Sequence, residues 1–175
     1  KVEEVFDKYI FNKPTSTEPR EPWATALHND FWVNNIMINN EINKPPKVII
    51  LDLQTCIYGS AVSDLLFFIG TSVQMSVLEN NIDELIKLYY IELMENLKFL
   101  NADTTLFPYS SYMEELKLEG PQEFVHLLFF VLIAYAEKET VEDTNASGFQ
   151  PGDHIRRLYT NIGEKHKKKF RLVAE

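Results

Sequence analysis

The stretch HNDFWVNN at positions 28–35, together with the apolar run VIILDLQ at positions 48–54, decides the interpretation of this chain. It places an aspartate, Asp30, five residues before an asparagine, Asn35, and a second aspartate, Asp52, at the end of a predicted strand. These are the residue types needed to activate a hydroxyl nucleophile and to hold magnesium on a nucleotide phosphate. The rest of the chain has the pattern of helical scaffold, so the functional interpretation rests on these two segments.

Length, composition and charge exclude several classes of function. A chain of 175 residues with 45% hydrophobic residues is long enough for one globular domain with a sizeable core. The net charge of −9 argues against nucleic acid and against an anionic membrane surface as partners. The longest apolar run covers 13 residues, positions 124–136, and is shorter than the ~20 that cross a bilayer. We therefore expect neither a nucleic-acid nor a membrane partner.

The single cysteine, Cys56, cannot form an internal disulfide, so a reducing, cytoplasmic location is the simpler expectation. Cys56 could be a nucleophile, but it lies beside a strand that is expected to be buried. The sequence therefore favours a packed core thiol.

The periodicity predicts a mainly α fold with one small β-hairpin. A catalytic loop and metal-binding hairpin occupy residues 25–54, and a helical subdomain occupies residues 60–175. The hairpin is predicted from two strands, 33–38 and 47–53, the second apolar, β-branched and therefore expected to be buried. Ser60 or Ser63 is the expected helix cap. Helices are predicted over residues 2–11, 62–78, 81–99, 109–118, 121–138 and 152–170, with breaks at prolines and glycines that include the Gly-Pro pair at 120–121.

The run LHNDFWVNNIM at 27–37 resembles the catalytic loop of the aminoglycoside and choline kinase-like phosphotransferases. The later LDLQ at 51–54 and SDL at 63–65 resemble its insect branch, called CHK kinase-like or ecdysteroid kinase-like, where the loop is followed by an Asp-x-Gln triplet. The resemblance extends over the whole chain, to FQPG at 149–152 and a basic C-terminal helix. It implies the C-terminal lobe of a protein-kinase-like fold.

The same resemblance implies a small-molecule O-kinase that uses ATP and Mg²⁺ and phosphorylates a hydroxyl, with an ecdysteroid-like substrate as the leading guess. Asp30 matches the catalytic aspartate, which orients the hydroxyl and accepts its proton. Asn35 and Asp52 match the two magnesium ligands. Acceptor contacts would come from helices after Asp64, and the aromatic stretches 89–90, 109–112 and 124–135 either line an apolar pocket or form helix core.

Four further residues receive less specific interpretations. His28 resembles the histidine that braces the loop, and Asp64 resembles the helix aspartate that anchors the loop from below. A plain acid in the first turn of a helix would look the same as Asp64. Trp32 either packs in the core or forms a substrate wall. Gln54 marks the branch, and its role does not follow from the sequence.

The chain departs from the family pattern in two ways. Asn29 stands where the family usually has glycine, and asparagine is the non-glycine residue best able to adopt a positive φ. The 27 residues before His28 contain no glycine and no strand-borne lysine, so the N-terminal lobe that clamps the nucleotide is expected to be missing. These 175 residues are then a fragment that is inactive alone. The alternative is a non-catalytic pseudokinase or a truncated binding protein, although retention of Asp30, Asn35 and Asp52 argues against a degenerate site.

Overall fold

The computed structural model describes residues 18–41 and 44–134, together with residues 164, 167 and 168. The chain divides into two compact units, of which one is Glu18–Glu119 and the other includes the residues from Gly120 onwards. All residues of the predicted site lie in the first unit. The predicted helix over residues 2–11 and most of the one over residues 152–170 lie outside the described residues.

Four short strands form two separate antiparallel pairs. Strand β1 (Ala24–Leu27) pairs with β4 (Ile57–Ser60), and β2 (Ile36–Asn39) pairs with β3 (Lys47–Ile50). In the second pair, Ile36 lies opposite Ile50. The residues that precede β2 and follow β3 therefore meet at one end of this hairpin, and these residues are the ones in the two sequence motifs.

The hairpin differs from its prediction in extent and in burial. Residues Val33–Asn35 form a 3₁₀ turn, so the strand begins only at Ile36. All four residues of β3 are exposed, and Val48 and Ile49 are 56% and 57% accessible. The prediction of a buried strand was wrong because no element in the described part of the chain covers this apolar pair. The β1–β4 pair was not predicted, since ATAL and IYGS lack a long β-branched run.

Three α-helices follow the strands: α1 (Ala61–Ser72), α2 (Met75–Phe99) and α3 (Tyr109–Ala134). The prediction of a mainly helical fold with a small antiparallel hairpin is confirmed for the described residues. The break expected at residues 120–121 is wrong, because α3 continues with Pro121 inside it. Proline removes one helical hydrogen bond, but its φ is compatible with helix. No helix in the described ranges is long and apolar enough to cross a membrane.

The core of the first unit forms around Trp23, which immediately precedes β1. Trp23 packs with Val62, Tyr112 and Leu116, and its indole Nε1–H donates to Ser111 Oγ at 3.0 Å. Tyr112 is fully buried, and this burial raises the pKa of its phenol. Tyr112 is therefore helix core, which is one of the two interpretations that the sequence left open for its aromatic stretch.

A partly buried ion network, with two buried carboxylates and a partly exposed guanidinium, holds the segment before β1 against α3. The Arg20 guanidinium donates to Glu119 Oε1 at 2.6 Å and to Glu115 Oε2 at 3.3 Å. Both glutamates are buried, at 3% and 6% exposure. Ser60 precedes α1 in the cap position, but its hydroxyl donates to Glu115 Oε1 at 2.6 Å and makes no cap bond. The network thus uses one of the two serines, Ser60 and Ser63, that the sequence offered as the helix cap.

Candidate functional site

The loop after β1 is fixed by one carboxylate of helix α1. The backbone N–H groups of His28 and Asn29 donate to Asp64 Oδ2 and Oδ1, at 2.7 and 2.9 Å. Asp64 lies in the first turn of α1 and is half-buried. Because both carboxylate oxygens are used, the peptide planes that precede Asp30 have a defined orientation.

The backbone at Asn29 has φ 62°, in the left-handed region. Asparagine enters this region at lower cost than other residues with a Cβ, because its short polar side chain bonds locally. The side chain of Asn29 is therefore compatible with the left-handed backbone at this position.

His28 connects the loop to the end of β3. Its ring is buried, and Nε2 lies 2.7 Å from the carbonyl oxygen of Leu51. A carbonyl only accepts hydrogen bonds, so Nε2 carries the proton in this contact. On the other side, Thr55 Oγ1 donates to the carbonyl of His28 at 2.9 Å. His28 therefore braces the loop against the segment that follows β3.

The main chain of Leu51 joins the two motifs. Its carbonyl accepts from His28, and its N–H donates to the carbonyl of Asn35 at 2.9 Å. Asp52 is the next residue and has φ 60°, also left-handed. Leu51, which follows β3, is thus hydrogen-bonded to His28 and to Asn35, at the two ends of the 28–35 loop. Asp52 is the next residue along the chain.

Asp30 and Asn35 are in direct contact. The Asn35 amide Nδ2 donates to the Asp30 carbonyl at 2.9 Å and to its carboxylate Oδ2 at 3.0 Å. This leaves Asn35 Oδ1 as the acceptor end of the amide. The contact restrains the carboxylate of Asp30 and at the same time determines which end of the amide can meet a cation.

Asp52 is exposed, and Gln54 Nε2 donates to its Oδ2 at 3.4 Å. This contact is long and joins two exposed side chains. Carboxylate and amide oxygens are ligands that Mg²⁺ prefers, and it usually takes only one or two from protein. The Asn35 amide oxygen and the Asp52 carboxylate are therefore oxygen donors of the kind that could hold Mg²⁺. The described residues contain no group of three or more His, Cys, Asp or Glu that could hold a metal.

Neither Trp32 nor Cys56 is buried in the core. Trp32 is half-buried, and its carbonyl accepts from the Asn35 N–H at 2.9 Å. Its role as a substrate wall stays a prediction. Cys56 is exposed, so the expected packed core thiol is wrong. Burial of the thiol had been inferred from the expected burial of the strand over 47–53, and β3 is exposed.

A cavity of about 830 Å³ lies behind the loop, on the side of Asp64. His28 and Asp64 belong to its wall, whereas Asp30, Asn35 and Asp52 do not. Most of the wall is apolar and comes from β1, α1 and α2. Tyr89 lines it, and burial together with the negative charge of Asp64 raises the pKa of the Tyr89 phenol.

Comparison with known proteins adds one finding. The ecdysteroid kinase-like family model matches residues 1–102, which is more than half of the chain. The chain belongs to the ecdysteroid kinase-like family. Membership indicates a kinase-like fold and a kinase-like phosphotransferase, and the matched range contains the loop, the hairpin and Asp64. The family resemblance of residues after 102 stays a prediction. No curated protein and no solved structure matches the chain.

Sequence reasoning did not identify two contributors to the site, Thr55 and the main chain of Leu51. The Leu51 contacts use backbone groups that every residue except proline supplies, so no side-chain pattern reveals them. Thr55 offered one weak signal, because it directly follows the motif that ends at Gln54. A hydroxyl there can bond backbone groups nearby.

Proposed function

We propose that this chain of the ecdysteroid kinase-like family is the C-terminal lobe of an ATP- and Mg²⁺-dependent small-molecule O-kinase. The acceptor is a hydroxyl group, and an ecdysteroid-like molecule is the leading guess for the substrate. The observation that carries the proposal is the contact between Asn35 Nδ2 and Asp30 Oδ2, at 3.0 Å, on a loop that Asp64 fixes. This contact places the proposed proton acceptor, the Asp30 carboxylate, next to the amide of Asn35, a proposed magnesium ligand.

Asp30 is the proposed catalytic residue. A carboxylate is ionised at neutral pH and forms a short, charge-assisted hydrogen bond with a substrate hydroxyl. As the phosphoryl group is transferred, the carboxylate accepts the hydroxyl proton. Since Asn35 restrains Oδ2, the carboxylate is already oriented before the substrate arrives, which is the contribution that positioning makes to such reactions.

Asn35 Oδ1 and the Asp52 carboxylate are the proposed ligands of Mg²⁺. When bound, the ion neutralises charge on the β- and γ-phosphates of ATP. The protein positions the two ligand oxygens in different ways. Asp30 sets the orientation of the Asn35 amide. Asp52 follows Leu51, whose backbone is hydrogen-bonded to the loop, and its carboxylate contacts Gln54.

The missing N-terminal lobe of the same protein is the proposed partner of the β2–β3 hairpin, and a cytoplasmic location remains our expectation. Apolar residues on both faces of this hairpin are more than half exposed, including Met37 and Ile38 on β2 and Val48 and Ile49 on β3. A two-stranded sheet without a cover is marginal in water. We therefore expect these 175 residues to need that lobe for nucleotide binding and to be inactive alone.

A second candidate function, a non-catalytic pseudokinase or interaction protein, is supported by the same exposed apolar hairpin, which a different protein could also cover. The experiment that separates the two uses the complete protein with ATP, Mg²⁺ and a panel of hydroxylated steroids and amino-alcohols. Phosphate transfer to one member of the panel supports the kinase. Absence of transfer to any member, with ATP bound, supports the non-catalytic alternative.

Asp52→Ala tests the metal assignment in that complete protein. We expect weaker binding of ATP in the presence of Mg²⁺ and little change in its absence, because the variant removes one of two ligand oxygens. Asp83→Ala, a change at an exposed aspartate on α2, is the matched control. An Asp52→Ala protein that binds Mg²⁺–ATP like the control would contradict the assignment.

A further inference from the structure

Helix α1 contacts the loop that carries the proposed catalytic residue at three places along one face. Asp64, in its first turn, accepts from two backbone N–H groups of the loop. One helical turn later, the Phe68 ring lies 5.4 Å from the Phe31 ring. At the last residue of α1, Ser72 Oγ accepts from the Val33 N–H at 2.8 Å. Residues spaced by four lie on the same face of a helix, so these contacts follow one another along α1.

The Val33 N–H belongs to the turn that contains the proposed magnesium ligand Asn35. The 3₁₀ turn begins at Val33 and ends at Asn35, whose own N–H donates to the carbonyl of Trp32. The first N–H groups of a helical turn have no partner within it. Ser72 supplies an acceptor for one of them from a different element. The bond therefore attaches the turn to α1 at its first residue.

A neighbouring hydroxyl determines how the Ser72 hydroxyl is oriented. Thr71 Oγ1 donates to the Phe67 carbonyl at 2.7 Å and lies 3.1 Å from Ser72 Oγ. A hydroxyl has only one hydrogen to donate. Because Thr71 uses its hydrogen on Phe67, Ser72 is the donor in the contact with Thr71. The lone pairs of Ser72 Oγ are then left to accept from the Val33 N–H.

We propose that Ser72 is a positioning residue for Asn35. Its hydroxyl holds the first N–H of the turn, and Asp30 sets the orientation of the Asn35 amide at the other end of that turn. The inference rests on the proposed function, because it requires Asn35 Oδ1 to be a ligand of Mg²⁺. Val33 is 55% exposed, so water competes for its N–H and the expected effect is that of one ordinary hydrogen bond.

The test measures the affinity of the complete protein for ATP with and without Mg²⁺. We expect Ser72→Ala to weaken Mg²⁺–ATP binding about threefold to tenfold and to leave Mg²⁺-free binding unchanged within about twofold, the effect of one hydrogen bond on the metal ligand. Alanine is the best helix former, so α1 is retained. Ser72→Thr keeps the hydroxyl and should restore the affinity. Ser76→Ala, at an exposed serine in the first turn of α2, is the matched control.

Three results would overturn the proposal. Ser72→Ala could bind Mg²⁺–ATP like the Ser76→Ala control, or lose affinity equally with and without Mg²⁺. Ser72→Thr could bind as weakly as Ser72→Ala, which would show that the hydroxyl is not the group that matters.

A double-mutant cycle separates positioning of Asn35 from a general effect on the fold. Because Ser72 acts through Asn35, Ser72→Ala should cause no further loss of Mg²⁺–ATP affinity in an Asn35→Ala protein. Additive losses would overturn the proposal. An unaltered protein whose ATP affinity does not depend on Mg²⁺ would contradict the proposed function, and this inference with it. A Mg²⁺-dependent affinity that Ser72→Ala leaves unchanged would contradict this inference alone.

Discussion

At the scale of single residues, the site depends on a few side chains that organise backbone. Asp64 accepts two loop N–H groups, His28 bonds the end of β3, and Asn35 restrains the carboxylate of Asp30. Residue type and spacing drew attention to Asp30, Asn35 and Asp52, and the family resemblance implied their roles and those of His28 and Asp64, which stay predictions. The sequence could not reveal the backbone contacts of Leu51, since these depend on tertiary pairing and not on the side chain.

The left-handed backbone at Asn29 leads to a prediction about stability. Asn29→Gly should leave the free energy of unfolding nearly unchanged, whereas Asn29→Ala should lower it by about 1 kcal/mol, because alanine is strained at positive φ. Urea unfolding of the chain measures both. Asn34→Ala, at an exposed neighbour whose φ is not positive, is the control. Equal losses for Asn29→Ala and Asn34→Ala would show that the conformation at Asn29 carries no cost.

At the scale of elements, short strands carry the motifs and helices hold them in place. The β2–β3 pair delivers Asn35 and Asp52 to one end, and α1 supplies the carboxylate that fixes the loop. Arg20, with Glu115 and Glu119, attaches the segment before β1 to α3. The position of the loop therefore depends on residues far away in sequence.

Removal of the Arg20 cation should be strongly destabilising. We expect Arg20→Met to lower the free energy of unfolding by about 3–5 kcal/mol, because two buried carboxylates lose their shared cation. The control is Lys44→Met, which breaks the exposed pair with Glu41 and should cost about 1 kcal/mol or less. Denaturant unfolding of both variants checks the comparison. Similar losses at the two positions would mean that the buried network contributes no more than a surface pair.

The elements also show how far the sequence could predict the fold. Helical periodicity located the start of α1 to within one residue and the end of α2 at Phe99, because their apolar spacing is regular. The predicted break between them at 79–80 was wrong, since α1 ends at Ser72 and α2 begins at Met75. The β1–β4 pair was missed, and α3 was divided at Pro121 although the helix continues. Both errors have one cause: strand pairing and tolerance of a proline depend on tertiary contacts, and local signals do not contain them.

At the scale of the whole molecule, the exposed apolar hairpin β2–β3 lies within the residues that the family model matches. The family model matches the range that contains it, and kinase-like function needs a lobe that clamps the nucleotide. Burial of the second hairpin strand was predicted from its composition, but all four residues of β3 are exposed. Composition shows only that a strand can be covered and not what covers it.

Ile49→Lys tests whether the N-terminal lobe covers this hairpin. In the 175-residue chain alone, the free energy of unfolding should change by about 0.5 kcal/mol or less, since Ile49 is 57% exposed. In the complete protein, the same change should weaken Mg²⁺–ATP binding, because a lysine buried without a partner opposes docking of the lobe. Leu118→Lys, on the exposed side of α3, is the matched control. If Ile49→Lys binds nucleotide as well as the control, the lobe does not cover this face.

The central claim is that Asp30 accepts the proton of the hydroxyl to which phosphate is transferred. The most direct measurement is phosphate transfer by the Asp30→Asn variant of the complete protein, together with its affinity for Mg²⁺–ATP. We predict a rate at least ~10²-fold lower with nearly unchanged nucleotide affinity, because asparagine keeps the shape and the neighbour Asn35 but cannot accept the proton. An Asp30→Asn protein that transfers phosphate at the full rate would contradict the account.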